Sequence, residues 1–131
     1  MHEIIYSSAI KMPMRISSEQ SLSSNWRAAS ARRKKQKREV TEALDLLVAQ
    51  YGAIPSDIHL QISLTRFAKR KMDHDNFVYA LKWCRDAIGD FIWPNKKLAV
   101  RDDHDLVRWQ YAQDIGPYSL MIEIVGYDSE W

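Results

Sequence analysis

Cysteine is almost missing from this chain. Cys84 is the only one among 131 residues, which excludes an internal disulfide framework and a zinc site made of several thiolates, and fits a reducing cytoplasm. Long apolar runs are missing too. None approaches the roughly 20 residues that span a bilayer, so no membrane partner is expected. No apolar stretch follows the first few residues, so no secretory signal is expected either. Internal repeats and low-complexity domains do not occur. The most informative absence is local: residues 26–38, WRAASARRKKQKR, hold seven basic residues and no acid.

What is present suffices for one folded domain spanning residues 1–131. Hydrophobic residues make up 46%, with five Trp and six Tyr, enough to build a core and to argue against global disorder. The net charge of +2 conceals an asymmetry: outside residues 26–38 the chain carries 12 basic and 17 acidic residues, a balance of −5. Seven of those acids fall between Asp73 and Asp105. One region is suited to a polyanion and another to cations.

Hydropathy patterning suggests the elements. A short strand is expected near Glu3–Ile10. From about residue 25 to Tyr51 the pattern is helical, with Val40, Leu44, Leu47 and Tyr51 on one face and Gly52 and Pro55 as stop signals. The basic run forms the first half of that helix, an arm over about 25–39 with little apolar face of its own, expected to project from the core. SDIHLQISLTR, residues 56–66, alternates as a half-buried strand with Ile58, Leu60, Ile62 and Leu64 on one side. DLVRWQY and YSLMIEIVGY read as two more strands, and AQDIGP between them predicts a hairpin.

Residues 71–86, KMDHDNFVYALKWCRD, open a second helix. Phe77, Leu81, Cys84, Ile88 and Phe91 recur at spacings of 4, 3, 4 and 3, one apolar stripe. Asp75, Tyr79, Lys82 and Asp86 form a polar line on the other side. The expectation is an α+β domain: a mixed sheet of three to five strands with two principal helices packed on it.

Asp73 and Asp75 stand at the mouth of this helix, and RDDHD follows at 101–105. Two carboxylates two residues apart can share one hard cation. Mg²⁺ takes oxygen ligands, needs few of them from protein, and keeps waters that substrate phosphate can replace. A carboxylate from Asp102–Asp103 would complete the set if the next strand lies beside the helix. Lys82 could then steady the phosphate or the leaving oxygen, and the basic arm could hold a nucleic-acid backbone. Blander readings stand beside these. Asp73 and Asp75 also suit a helix cap and a dipole partner. Asp102, Asp103 and Asp105 suit a solvated loop, and Lys82 suits a surface pair with Asp86. His74 and His104 read as surface histidines and Cys84 as packing. Trp26 suits either a stacking platform for bases or a core or dimer contact.

DHDNFVYALKWCRD followed by RDDHDL resembles the RusA-like endodeoxyribonucleases, the Holliday junction resolvases of lambdoid prophages and many phages. The family pattern of Asp-x-Asp-Asn, a helix with a Lys and then an Asp, and a later Asp-Asp-x-x-apolar falls on Asp73, Asp75, Asn76, Lys82, Asp86, Asp102, Asp103 and Leu106. SSNWRAASARRKKQKREV is similar to the family's early basic segment, so the resemblance covers about residues 20–125. In the better-known form the Lys lies at the position of Tyr79, and the connection from Asp86 to Asp102 is longer here. The resemblance implies a Mg²⁺-dependent homodimer, with Mn²⁺ as a substitute metal, that cuts branched DNA in recombination and repair in the cytoplasm of a bacterium or phage-infected host. It implies catalytic roles for Asp73, Asp75, Asp103 and Lys82, and metal ligation by Asp73, Asp75 and Asp103 with Asp102 as a weaker member. Phosphate contacts are expected from Arg27, Arg32, Arg33, Lys34, Lys35, Lys37 and Arg38, and from Lys69, Arg70 and Lys71. The alternative is a relative that binds branched DNA but has lost its metal site.

Overall fold

The computed structural model describes residues 3–16, 26–94 and 105–128. In chain order the elements are β1 (Ile4–Pro13), α1 (Trp26–Tyr51), β2 (His59–Ala68), α2 (His74–Ala80), α3 (Lys82–Ile92), β3 (Val107–Ile115) and β4 (Ser119–Tyr127). The four strands form one mixed sheet in the order β1-β4-β2-β3. β4 runs antiparallel to both β1 and β2, and β3 runs parallel to β2. This is the expected α+β domain, a small mixed sheet with two main helical arms.

The sheet is apolar on one face. Leu60, Ile62 and Leu64 of β2 and Leu120, Ile122 and Ile124 of β4 are fully buried. Ile62 is paired with Ile124 and Leu64 with Ile122 across the antiparallel ladder. They share one core with Val40, Ala43 and Leu44 of α1 and with Phe77, Leu81, Cys84 and Ile88 of the α2–α3 arm. The alternation read over 56–66 thus holds through β2, and the apolar stripe of the second helix packs inward.

Four details depart from the sequence expectations. The first strand is longer, Ile4–Pro13. Tyr51 is 43% exposed, and Ala43 takes its place among the buried positions of α1. The second helix is broken at Leu81, whose φ of −88° and ψ of −2° end α2 and start α3. Its N–H is shared between the carbonyls of Phe77 at 3.2 Å and Val78 at 3.3 Å, a local tightening of the helix. Finally, β3 and β4 do not form the expected hairpin, because β2 lies between them. Two inter-strand steps are about 10 Å, which the four residue-to-residue steps from Ile115 to Ser119 can cross at roughly 3.3 Å each. The link passes over the end of β2, where the Gly116 N–H donates to the Ala68 carbonyl at 3.0 Å. The burial pattern explains the preference. β4 has five buried residues, among them the fully buried Leu120, Ile122 and Ile124, and takes a central place, whereas no residue of β3 is buried and it takes the edge.

Gly52 ends α1 as expected: its φ is +92°, and its N–H donates to the Val48 carbonyl at 2.8 Å. Gly126 is required for space. A Cβ there would stand 2.6 Å from Ile58 Cδ1, 3.1 Å from Tyr6 Cβ and 3.3 Å from Leu60 Cδ2. The Ile58 methyl can swing away, but the Tyr6 Cβ is fixed to β1. Gly126→Ala is expected to destabilise the fold by about 1–3 kcal/mol, read as a lower urea midpoint with an unchanged slope.

Candidate metal centre and nucleic-acid interface

The parallel pair β2–β3 ends on the side of the sheet from which residues 69–73 lead into α2. Asp73 is the N-cap residue of α2, but only through its backbone: its carbonyl accepts from the Phe77 N–H at 2.9 Å, and its side chain makes no capping hydrogen bond. Asp75 lies in the first turn. Both residues are exposed, as is His74 between them. Of the two readings of this pair, the side-chain cap is therefore absent at Asp73, and its carboxylate is not spent on the helix.

The loop that carries Asp73 is pinned by residues that motif reading missed. Gln113 of β3 grips the backbone of Met72 with both ends of its amide: Oε1 accepts from the Met72 N–H at 2.8 Å, and Nε2 donates to the Met72 carbonyl at 3.0 Å. Gln113 is held in turn by Arg66 of β2. The Arg66 Nη1 donates to Gln113 Oε1 at 3.1 Å and to the Arg70 carbonyl at 2.9 Å, and its Nε donates to the Ile16 carbonyl at 3.0 Å. Arg66 is only 7% exposed. Burial lowers its pKa from the usual arginine range, with Arg15 adding to the effect and Tyr118 opposing it. The signal was available: Arg66 and Gln113 continue the inward parity of Leu60–Leu64 and of Trp109–Tyr111. A charged or amide side chain at such a position must find hydrogen bonds inside.

Lys82 begins α3, seven residues beyond Asp75, or about 10 Å along a helix. Its Nζ lies 3.8 Å from Asp86 Oδ2, the surface pairing named above as the blander reading. Asp86 is more covered than a fully outward position requires, with its side chain 14% exposed, while Tyr79 is 54% exposed. On the inner side, Arg85 donates from Nη1 to the Tyr111 hydroxyl at 3.2 Å, and the Phe77 ring meets Tyr111 edge to face.

Two basic surfaces flank this region. Lys69, Arg70 and Lys71 are exposed on the loop before Asp73. In α1 no residue before Val40 is buried, consistent with an arm that leaves the core. Arg27, Arg33, Lys34, Lys35, Lys37 and Arg38 are exposed and Arg32 is half-buried. Two of the expected phosphate contacts are engaged within the protein. Lys37 Nζ sits 3.0 Å from Asp90 Oδ2 of α3, and Lys35 Nζ sits 3.9 Å from Glu39 Oε1. The Arg27 guanidinium lies over the ring of Trp26, itself 75% exposed.

Asp102, Asp103 and His104 lie outside the described residues. Among those that are described, no group of three or more His, Cys, Asp or Glu is placed to hold a metal. The Leu106 carbonyl accepts from the Leu60 N–H at 2.7 Å, at the start of β2, whereas Asp73 follows its finish. Leu106 and Gln113 are separated by seven residues of extended chain, about 23 Å. The described part of the candidate centre is therefore the Asp73–Asp75 pair on its pinned loop.

Cys84 is buried between α1 and α3, with Sγ donating to Gln36 Oε1 at 3.4 Å, and burial raises its pKa to about 12. It is packing, as expected. A raised native pKa stabilises the fold fully below the thiol's ordinary value near 9, and that contribution is lost as pH rises toward 12. Iodoacetamide at neutral pH should therefore label Cys84 only after denaturant is added, and chemical stability should decline above about pH 9. Gln113→Ala should cost about 1–3 kcal/mol by stranding Arg66 and the Met72 backbone, with faster hydrogen exchange at the Met72 amide than at core amides of β4. Compared with models of known protein families and with curated proteins, the chain matches none.

Proposed function

We propose that the protein is a Mg²⁺-dependent endonuclease acting on branched DNA, in the manner of the RusA-like resolvases. The observation that carries this reading is the Asp73–Asp75 pair: two exposed carboxylates at the mouth of α2, the Asp73 side chain making no capping hydrogen bond, just after a loop pinned by Gln113 and Arg66. Lys69, Arg70 and Lys71 precede the pair and can neutralise a phosphate backbone that approaches it. The α1 arm offers a second grip through Arg27, Arg33, Lys34 and Arg38, which would set the register of the DNA without reading its sequence.

Asp73 and Asp75 are oxygen donors of the kind that Mg²⁺ or Mn²⁺ selects. Asp103, with Asp102 beside it, is the proposed source of a third. Bound metal would supply charge neutralisation at the phosphodiester and a water acidic enough to attack it. The chain's part is to hold both carboxylates where a phosphate held by residues 69–71 can reach them. Lys82 would exchange Asp86 for a phosphate oxygen. A four-way junction has two strands to cut, and a two-fold pair of chains would present two such sites.

A second reading, a branched-DNA-binding protein without cleavage, is favoured by one observation: Leu106, three residues past Asp103, meets Leu60 at the start of β2, whereas Asp73 follows the end of that strand. A labelled four-way junction separates the two. With Mg²⁺ or Mn²⁺, paired nicks that disappear in Asp75→Asn and Asp73→Asn while binding is retained are the expected result. Binding that persists in EDTA with no cleavage at any metal level would select the second reading, and the absence of any binding would overturn both.

A further inference from the structure

The carboxyl ends of β2 and β3 hold a recess that the metal reading does not use. It has a volume of about 430 Å³ and is lined by Lys69, Ile115, Gly116, Pro117 and Tyr118, within the range of pockets that take small ligands. Its lining is chiefly apolar. Ile115 is 58% exposed although it is a large aliphatic residue. Tyr118 is held by the Arg15 guanidinium, 4.8 Å from its ring centroid. Positive charge stands near the recess: Lys69 lines it, Arg15 lies over the Tyr118 ring, and Arg70 and Lys71 follow Lys69 on the same loop. Asp114, beside Ile115 along the chain, turns its Oδ1 onto the Ile115 N–H at 2.8 Å. Lys69 is four residues from Asp73.

We propose that this recess receives one unpaired nucleobase of the DNA strand that passes the Asp73–Asp75 pair, stacked on Tyr118, with Lys69 and Arg15 meeting the adjoining phosphates. The occupant must be flat and apolar on its faces yet attached to negative charge, and a base on its sugar-phosphate chain is both. An apolar side chain of a protein partner would suit the lining but would leave the cations unmatched. A base within an intact duplex cannot enter such a pocket, whereas strands near a branch point can offer one. The inference rests on the DNA reading above and names the residues through which that site would prefer unstacked strands.

The test is fluorescence anisotropy in EDTA, with a labelled single strand and its matched duplex, on wild type, Tyr118→Leu and Tyr118→Phe. Leucine keeps the apolar bulk and removes the π-face. Tyr118→Leu is expected to weaken single-strand binding roughly 5- to 150-fold and to leave duplex affinity unchanged, with Tyr118→Phe close to wild type. Equal loss on both probes, or none on either, would overturn the pocket and leave the DNA reading intact. Wild type that binds neither probe would overturn both. A readout independent of any variant is 2-aminopurine placed in the single strand: quenching on addition of wild-type protein is expected, and unaltered emission sinks the proposal.

Discussion

A buried cation whose partners, among the described residues, are all neutral oxygens organises this molecule. Arg66 sits on the core face of β2, and its hydrogen bonds run to neutral oxygens: the carbonyls of Ile16 and Arg70 and the amide of Gln113. A guanidinium inside a protein is costly unless its donors are satisfied, so these three segments are drawn together around it. They are the exit of β1, the loop after β2 and the edge strand β3. Much of the geometry at the carboxyl ends of β2 and β3 follows from that demand. Gln113 then passes the constraint on to Met72, and Met72 to the residue beside it, Asp73.

Charge is divided in a way that the fold makes useful. The core between the helices and the sheet is apolar, and the buried polar residues among those described are few: Ser8, Arg66 and Ser119. Most other charged groups are left to the surface, where the α1 arm and the 69–71 loop are basic and the mouth of α2 is acidic. Lys37 joins the two helical layers through Asp90, and the Cys84–Gln36 contact lies at the same interface. The rear of the basic arm is thereby tied to α3 while its exposed side chains stay outward.

Period and parity made most of the architecture legible from the residues alone. The alternation of Leu60, Ile62 and Leu64 and the stripe from Phe77 to Ile88 were each carried by several residues with one burial preference. What parity cannot report is which strands are neighbours. Asp114, Ile115, Gly116 and Pro117 have turn chemistry whether the chain folds back on itself or steps across an intervening strand, and the choice was made by the competition of β4 and β3 for a central position. The candidate site was legible as to its carboxylates, because Asp73 and Asp75 are close in sequence. Its supports were not. Arg66 and Gln113 are 47 residues apart, and although each fills an inward position with a side chain that needs hydrogen bonds, the partner each one finds shows only once the strands are aligned.

The step over the end of β2 also orders events in time. β4 is the last strand along the chain and a central one in the sheet, and it is the sole strand neighbour of β1. During synthesis β1 emerges first and waits, unpaired, while almost the whole domain follows it. The β2–β3 pair can form earlier, but the sheet closes only when β4 threads between it and β1. Contacts of such long sequence separation slow folding. Within this sheet, the strand made first is thus among the last to find its place.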